Sequence, residues 1–146
     1  MKIVIQKTHK CELYVEDKLI SKIGDGLIVF VGVHKNDTIE TVEYMARKIA
    51  NLRLFKDEFD KINKSVLDIN GEIMVVSNFT LNAVIASGTR PSFSNSADTE
   101  KAVFLYEKLA ELLFNQGVKN VVTGKFGAHM HLMTCIDGPF NIVLEK

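Results

Sequence analysis

The chain is short of the features that most often give an activity away. Its 146 residues hold two cysteines, Cys11 and Cys135, far apart and outside any Cys-x-x-Cys. That spacing speaks against a disulfide scaffold and for a reducing compartment. Neither sign of charge dominates, with Lys+Arg and Asp+Glu at 18 each. Contact with nucleic acid would therefore be local rather than driven by an overall field. No apolar run approaches the roughly 20 residues that cross a bilayer, so no membrane role is expected. The opening Met-Lys-Ile-Val-Ile-Gln reads as a strand without a signal-peptide cleavage pattern. Gly-x-Ser-x-Gly, the Walker loop, Gly-x-Gly-x-x-Gly and His-Glu-x-x-His are all missing. Carboxylates are scattered and expected at the surface. With neither repeats nor low-complexity segments, the chain is expected to form one domain over residues 1–146. A composition of 47% hydrophobic and 25% charged residues suits a soluble globular protein with a real core.

Strands are expected over 2–7 and 10–16, then, after a turn at Glu16-Asp17-Lys18, through Ile20 and Ile23. Leu27 to Val33 is short and continuously apolar, the mark of a strand buried on both faces. Asp37 or Thr38 is placed to cap a helix running to about Leu52, with Ile39, Val42, Met45, Ala46 and Ile49 on one face. Arg53-Leu54-Phe55 reads as a short strand, Lys56 to Lys64 as a loop, and Glu72 to Thr80 as a central strand after the Asn70-Gly71 turn. Residues 82–97 form a loop long enough to suggest a function. Ser96 or Asp98 caps a second helix, with Ala102, Leu105, Leu109, Leu112 and Leu113 inward and Gly117 ending it. Val118 to Val122 is the next strand, and the last strands flank Gly138-Pro139. The expected class is α/β of the α+β kind, a mostly antiparallel sheet or open β-barrel with two packed helices.

Four places are candidates for chemistry. Cys135 to Asn141 sets a Gly-Pro pair inside an apolar run. Proline cannot donate to a ladder and glycine clears space around the backbone, so this stretch bends a strand and bares its carbonyl oxygens. Sequence alone leaves the isomer of the Gly138–Pro139 bond open, and an ordinary tight turn is the alternative. Ser77-Asn78-Phe79-Thr80 sets polar groups at the end of a buried strand, where they either satisfy loop backbone or face a cleft. His129-x-His131-x-Met133-x-Cys135 would share one face of a strand with metal-type ligands, but the spacing fixes no fourth ligand; a packed or solvent-facing surface is favoured, and no metal or cofactor is expected. Arg47, Lys48, Arg53, Lys56, Lys61, Lys64, Arg90 and Lys125 would hold phosphates if several converged beside a cleft.

Several separated motifs in one order resemble the D-aminoacyl-tRNA deacylases, also called D-tyrosyl-tRNA deacylases, over essentially the whole chain. They are Gly26-Leu27 with the strand to Gly32-Val33, Val75-Val76-Ser77-Asn78-Phe79-Thr80-Leu81, Gly88-Thr89-Arg90-Pro91-Ser92-Phe93-Ser94, Thr123-Gly124-Lys125-Phe126-Gly127-Ala128 with Met130, and Asp137-Gly138-Pro139. The resemblance implies a cytoplasmic homodimer with its active site at the interface. It would hydrolyse the ester between a D-amino acid and the 3′-terminal adenosine of tRNA. Gly138 and Pro139, joined by a cis bond, would reach into the partner's pocket and exclude L side chains; glycyl esters would pass. Thr80 and Ser77 would be catalytic, with Thr80 either attacking or leaving the attack to a water assisted by the ribose 2′-hydroxyl. Asn78, Phe79, Arg90, Phe93, Phe126, Gly127, Ala128 and Met130 would bind substrate. The chain departs from the family's usual residues at Asn78 (Gln), Ser87 (basic), Ile136 (Asn), Phe140 (a smaller residue) and Asn141 (Thr). The alternatives are a non-catalytic binder of the tRNA acceptor end and a hydrolase of another acyl ester.

Overall fold

The computed structural model describes residues 1–86 and 88–146, leaving Ser87 outside the described residues. Among the described residues, eight strands and two helices follow in order. They are β1 (Lys2–Val15), β2 (Lys18–Ile23), β3 (Gly26–Gly32), α1 (Ile39–Asn51), β4 (Phe55–Lys56), β5 (Ile62–Lys64), β6 (Glu72–Ser77), α2 (Thr99–Asn115), β7 (Asn120–Thr123) and β8 (His131–Glu145).

β1 is the spine. Its first half, Lys2–Thr8, pairs antiparallel with β3, and its second half, Cys11–Val15, pairs antiparallel with β2. Its other edge carries β8 almost end to end. The two expected strands at 2–7 and 10–16 are thus one strand, irregular near Lys7–Lys10. The antiparallel majority holds, but β3–β6 and β6–β7 are parallel, so the sheet is mixed and curls toward a barrel.

Period-two alternation on β3 and β6 serves two cores. Leu27, Val29, Val31, Ile73 and Val75 face α1 and α2, where Val42, Met45, Ile49, Leu105, Leu109 and Leu113 cover them. Ile28, Met74 and Val76 point the other way, into the barrel with Cys11, Leu13, Val15 and Ile23. Burial on both faces is therefore what the unbroken apolar run of β3 encodes.

Thr38 and Asp98 cap the helices, Asp98 by accepting from Lys101 N at 2.9 Å. Asp37 is buried and accepts from the His34 amide at 2.7 Å and from the Met1 amine, so not every carboxylate is at the surface. Residues 56–64 are not a plain loop: β4 and β5 form a small hairpin, its turn held by Asp57 Oδ1 accepting from Phe59 N and Lys61 N. The short strand is Phe55–Lys56 and not 53–55, and β7 starts two residues later than expected.

Candidate active site

β6 does not run on to Thr80. It stops at Ser77 because the Asn78 side chain offers the backbone a different partner. Asn78 Oδ1 accepts from Thr80 N at 3.2 Å and from Thr80 Oγ1 at 2.5 Å. The chain then tightens into a single 3-10 turn over Phe79–Asn82. That turn is fixed from below. Asn78 N donates to Val31 O at 2.8 Å, and the buried Asn82 Nδ2 donates to Val33 O at 2.8 Å. Gly32 lets the turn sit this close, since a Cβ there would lie 2.9 Å from Leu81 Cβ and 3.1 Å from Asn78 O. Ser77 and Asn78 end up half-buried, and Phe79 and Thr80 exposed.

Two further segments meet this turn. The 83–98 loop returns through a bridge between Val84 and Ser92. It sets Phe93 edge-on to Phe79, centroids 4.9 Å apart, and Ser96 Oγ donates to Phe79 O at 3.4 Å. On the other side, β7 continues the parallel sheet and Gly124 N donates to Val75 O at 3.0 Å. The following turn, closed by Ala128 N to Lys125 O at 3.2 Å, needs Gly127 at φ +72°. Phe126 packs on Tyr106 of α2, whose hydroxyl also donates to Val75 O at 2.8 Å; burial pushes the Tyr106 phenol up to about 12. Met130 tucks against Gly124, where an added Cβ would be 2.7 Å from its sulfur. Ser77, Asn78, Phe79, Thr80 and Phe93 thereby meet at the carboxyl end of β6, the usual place for a site in such sheets, while Phe126, Gly127, Ala128 and Met130 follow the carboxyl end of the neighbouring β7, where Ala128 also lines a pocket with Val15, Asp17 and His131. Arg90 is exposed on the same loop as Phe93.

Gly138 and Pro139 are not there. β8 is one strand, and its residues 137–140 bulge opposite Lys7 alone, between the pairs Gln6–Asn141 and Thr8–Ile136. The bond is cis, Gly138 has φ +128°, and both residues are exposed. The bulge is pinned from β1. Lys7 Nζ lies 2.7 Å from Asp137 and holds its carboxyl below the usual range, and Thr8 Oγ1 donates to Cys135 O at 2.8 Å. Register sets the distance from Thr80. Lys7 stands opposite Leu27, which stands opposite Ile73, whereas Thr80 follows Ser77, opposite Val31. Four residues of strand are about 13 Å, before the turn to Thr80 is added. One chain keeps the two elements apart.

The other expectations fare differently. The basic set does not converge: Lys48 lies over Tyr44, Arg53 bonds Asn63, Lys56 pairs with Asp60 and Lys64 with Glu58. Arg90 and Lys125 alone of that set lie on segments flanking the Thr80 turn. The rings of His129 and His131 meet edge-on at 4.8 Å, and Met133 and Cys135 are exposed. Among the described residues no three histidine, cysteine or carboxylate groups are placed to hold a metal. A cleft of about 430 Å³ lined by His9, Lys10, Lys22 and Glu72 lies at the far end of β6, where Glu72 is tied to Gly24 N at 2.7 Å. Asn82 and Tyr106 carry much of the site's rigidity and were not singled out from sequence. An amide between apolar neighbours after the Ser-Asn-Phe-Thr run is the signal for Asn82.

A model of the family described as D-Tyr-tRNA(Tyr) deacylase matches residues 4–145. The chain belongs to that family. A D-aminoacyl-tRNA deacylase of Thermotoga petrophila is 48% identical over 146 residues, covering 100% of this chain and 97% of the relative. One of Clostridium botulinum is 44% identical over the same span, with the same coverage of both. Among solved structures, a c-Myc DNA unwinding element binding protein superposes with a TM-score of 0.93 at 39% identity, over 100% of this chain and 99% of that one. A probable eukaryotic D-amino acid tRNA deacylase superposes at 0.84 over 98% and 97%. At 17% identity that second likeness speaks for the fold alone. The deacylase family thus accounts for the mixed barrel with two helices and for the order of the motifs now seen around the Thr80 turn.

Proposed function

We propose that this protein hydrolyses the ester joining a D-amino acid to the 3′-terminal adenosine of tRNA, proofreading chirality in translation. The observation that carries the reading is convergence. In a chain of this family, three sequence segments come together at one end of the parallel strands and leave Phe79 and Thr80 exposed. An aminoacyl ester is already activated. Positioning, with donors aimed at the developing oxyanion, suffices without a Ser-His-Asp triad. The exposed ring of Phe79, braced edge-on by Phe93, suits stacking of the terminal adenine. Arg90 and Lys125 flank it for phosphates, while Gly127, Ala128 and Met130 with Phe126 wall the aminoacyl end. Ser77 and Thr80 offer the hydroxyls at the reacting ester.

Chirality is read by a second copy of the chain. Gly138 and Pro139 stand about 13 Å of strand away from the level of their own Thr80 turn, exposed on a bulge. This supports a homodimer in which each chain's bulge enters the other's site. Carbonyl oxygens there occupy the space an L side chain needs and accept from the substrate amine. Glycine, with no side chain, is not refused. The substrate assigns the protein to the compartment of translation, the cytoplasm.

Incubation with D-tyrosyl-, L-tyrosyl- and glycyl-tRNA tests the reading. Hydrolysis of the D and glycyl esters with the L ester spared is expected, from a species with the mass of two chains. Salt-sensitive tRNA binding without turnover would make the protein a binder of the acceptor end. Equal rates on free D-amino-acid esters would make it a general esterase. A monomer active with full chiral selection would end the two-chain account.

A further inference from the structure

We propose that Asn78 is a positioning residue that fixes the direction of the Thr80 hydroxyl, so that Thr80 meets the substrate as a hydrogen-bond acceptor; the proposal rests on the deacylase reading above. The argument starts from the backbone. Thr80 N is an obligatory donor and points at the Asn78 side chain at 3.2 Å. The amide atom facing it must therefore be the oxygen, since the NH₂ group would set donor against donor. The same oxygen lies 2.5 Å from Thr80 Oγ1. An amide oxygen only accepts, so the single hydroxyl proton of Thr80 is committed to it, and the two lone pairs face away, on an exposed residue.

The main chain holds Asn78 to this task. Its N–H goes to Val31 O at 2.8 Å and its carbonyl accepts Leu81 N at 3.3 Å. Gly32 is closed against the same carbonyl, with room for no more than hydrogen. The side chain thus leaves a fixed base and reaches two residues ahead, the span an Asx turn requires. A carboxamide oxygen is too weakly basic to remove the hydroxyl proton, so Asn78 and Thr80 are not a nucleophile and its base. What the pair presents is an oriented oxygen able to receive an N–H or O–H of the substrate.

Two measurements test this. Three-bond couplings of the Thr80 side chain in labelled protein read the lock without reference to activity. A single χ1 rotamer is expected in the natural protein and averaging in Asn78→Ala; averaging in both overturns the proposal. Deacylation of D-tyrosyl-tRNA is then compared among the natural protein, Asn78→Ala, Asn78→Asp, Thr80→Val and the Asn78→Ala/Thr80→Val double variant, each checked for an unchanged melting profile. Loss of one oriented hydrogen bond is expected to lower kcat/KM about 3- to 10-fold in Asn78→Ala. Asn78→Asp, which keeps the acceptor oxygen at the same reach, should recover most of it. The double variant should be no worse than Thr80→Val, because Asn78 acts through Thr80. Losses that multiply in variants whose melting is unchanged would mean that Asn78 touches the substrate on its own account, and the proposal would fall; any loss through its cap on Thr80 N is read from the melts. If the natural protein left D-tyrosyl-tRNA intact, the deacylase reading would fail, and the couplings would still decide the lock.

Discussion

Adding one methyl group at position 32 is expected to damage catalysis from beneath the site. In Gly32→Ala the new Cβ would sit 2.9 Å from Leu81 Cβ, 3.1 Å from Asn78 O and 3.3 Å from Asn82 Oδ1. All three belong to the turn that carries Thr80 or to its cap. Carbon atoms rest about 3.5–4.0 Å apart, so Leu81 must retreat by about 0.6 Å or more. The Asn82 anchor to Val33 O resists the retreat, and the turn tilts as a unit. Overpacking of this kind costs about 1–3 kcal/mol. For a chain of 146 residues that lowers Tm by roughly 3–10 °C. Displacements near 1 Å at a reacting group cost about 10²-fold, so a loss of about 10-fold in kcat is expected. Thermal melts and D-tyrosyl-tRNA deacylation, run on the same preparations, give both numbers. Ile49→Val is the control: fully buried on the inner face of α1 and remote from the turn, it should lower stability by about 0.5–1.5 kcal/mol and leave kcat unchanged. Gly32→Ala with natural kcat, or Ile49→Val with an equal loss of kcat, would refute the claim that Gly32 acts by seating the turn.

Three further outcomes follow from the same geometry. Gly138→Ala forces an L side chain into φ +128°, with its Cβ 2.5 Å from Phe140 N; the bulge should shift and the ratio of D- to L-tyrosyl-tRNA hydrolysis should fall, while an unchanged ratio would remove Gly138 from chiral selection. Phe79→Ala removes the exposed ring and should raise KM for aminoacyl-tRNA about 5- to 100-fold, the equivalent of one base stacked on an aromatic side chain, with little change in Tm. Tyr106 is neutral and buried, with its phenol raised from 10.0 to about 12. Because the folded value is the higher one, its contribution is whole below pH 10 and declines as pH rises toward 12. About 3 kcal/mol of alkaline destabilisation is expected over that window, and Tyr106→Phe should flatten it in urea melts read from pH 9 to 12.

The chain's own order of residues determined a good deal. Local pattern is enough to announce a strand buried on both sides within Leu27–Val33, a capped helix after Asp37 or Thr38, and a glycine-proline break in an apolar run, because each depends on neighbours within a few residues. The motifs that mark the deacylase family, and most of the residues now gathered around Thr80, were legible in the same way. Other features lay beyond local pattern. Glu72 to Thr80 reads as one strand, yet Asn78 ends it by capping the next turn, and that turn is held by Val31 and Val33 from another strand. The 56–64 hairpin is closed by Asp57, whose hold on two amides outweighs a polar composition that reads as loop. Asn82, Tyr106 and Gly32 matter because of what folds against them. The separation of Gly138-Pro139 from Thr80 is likewise set by sheet register, which depends on pairing across the whole chain and is written in no single stretch of it.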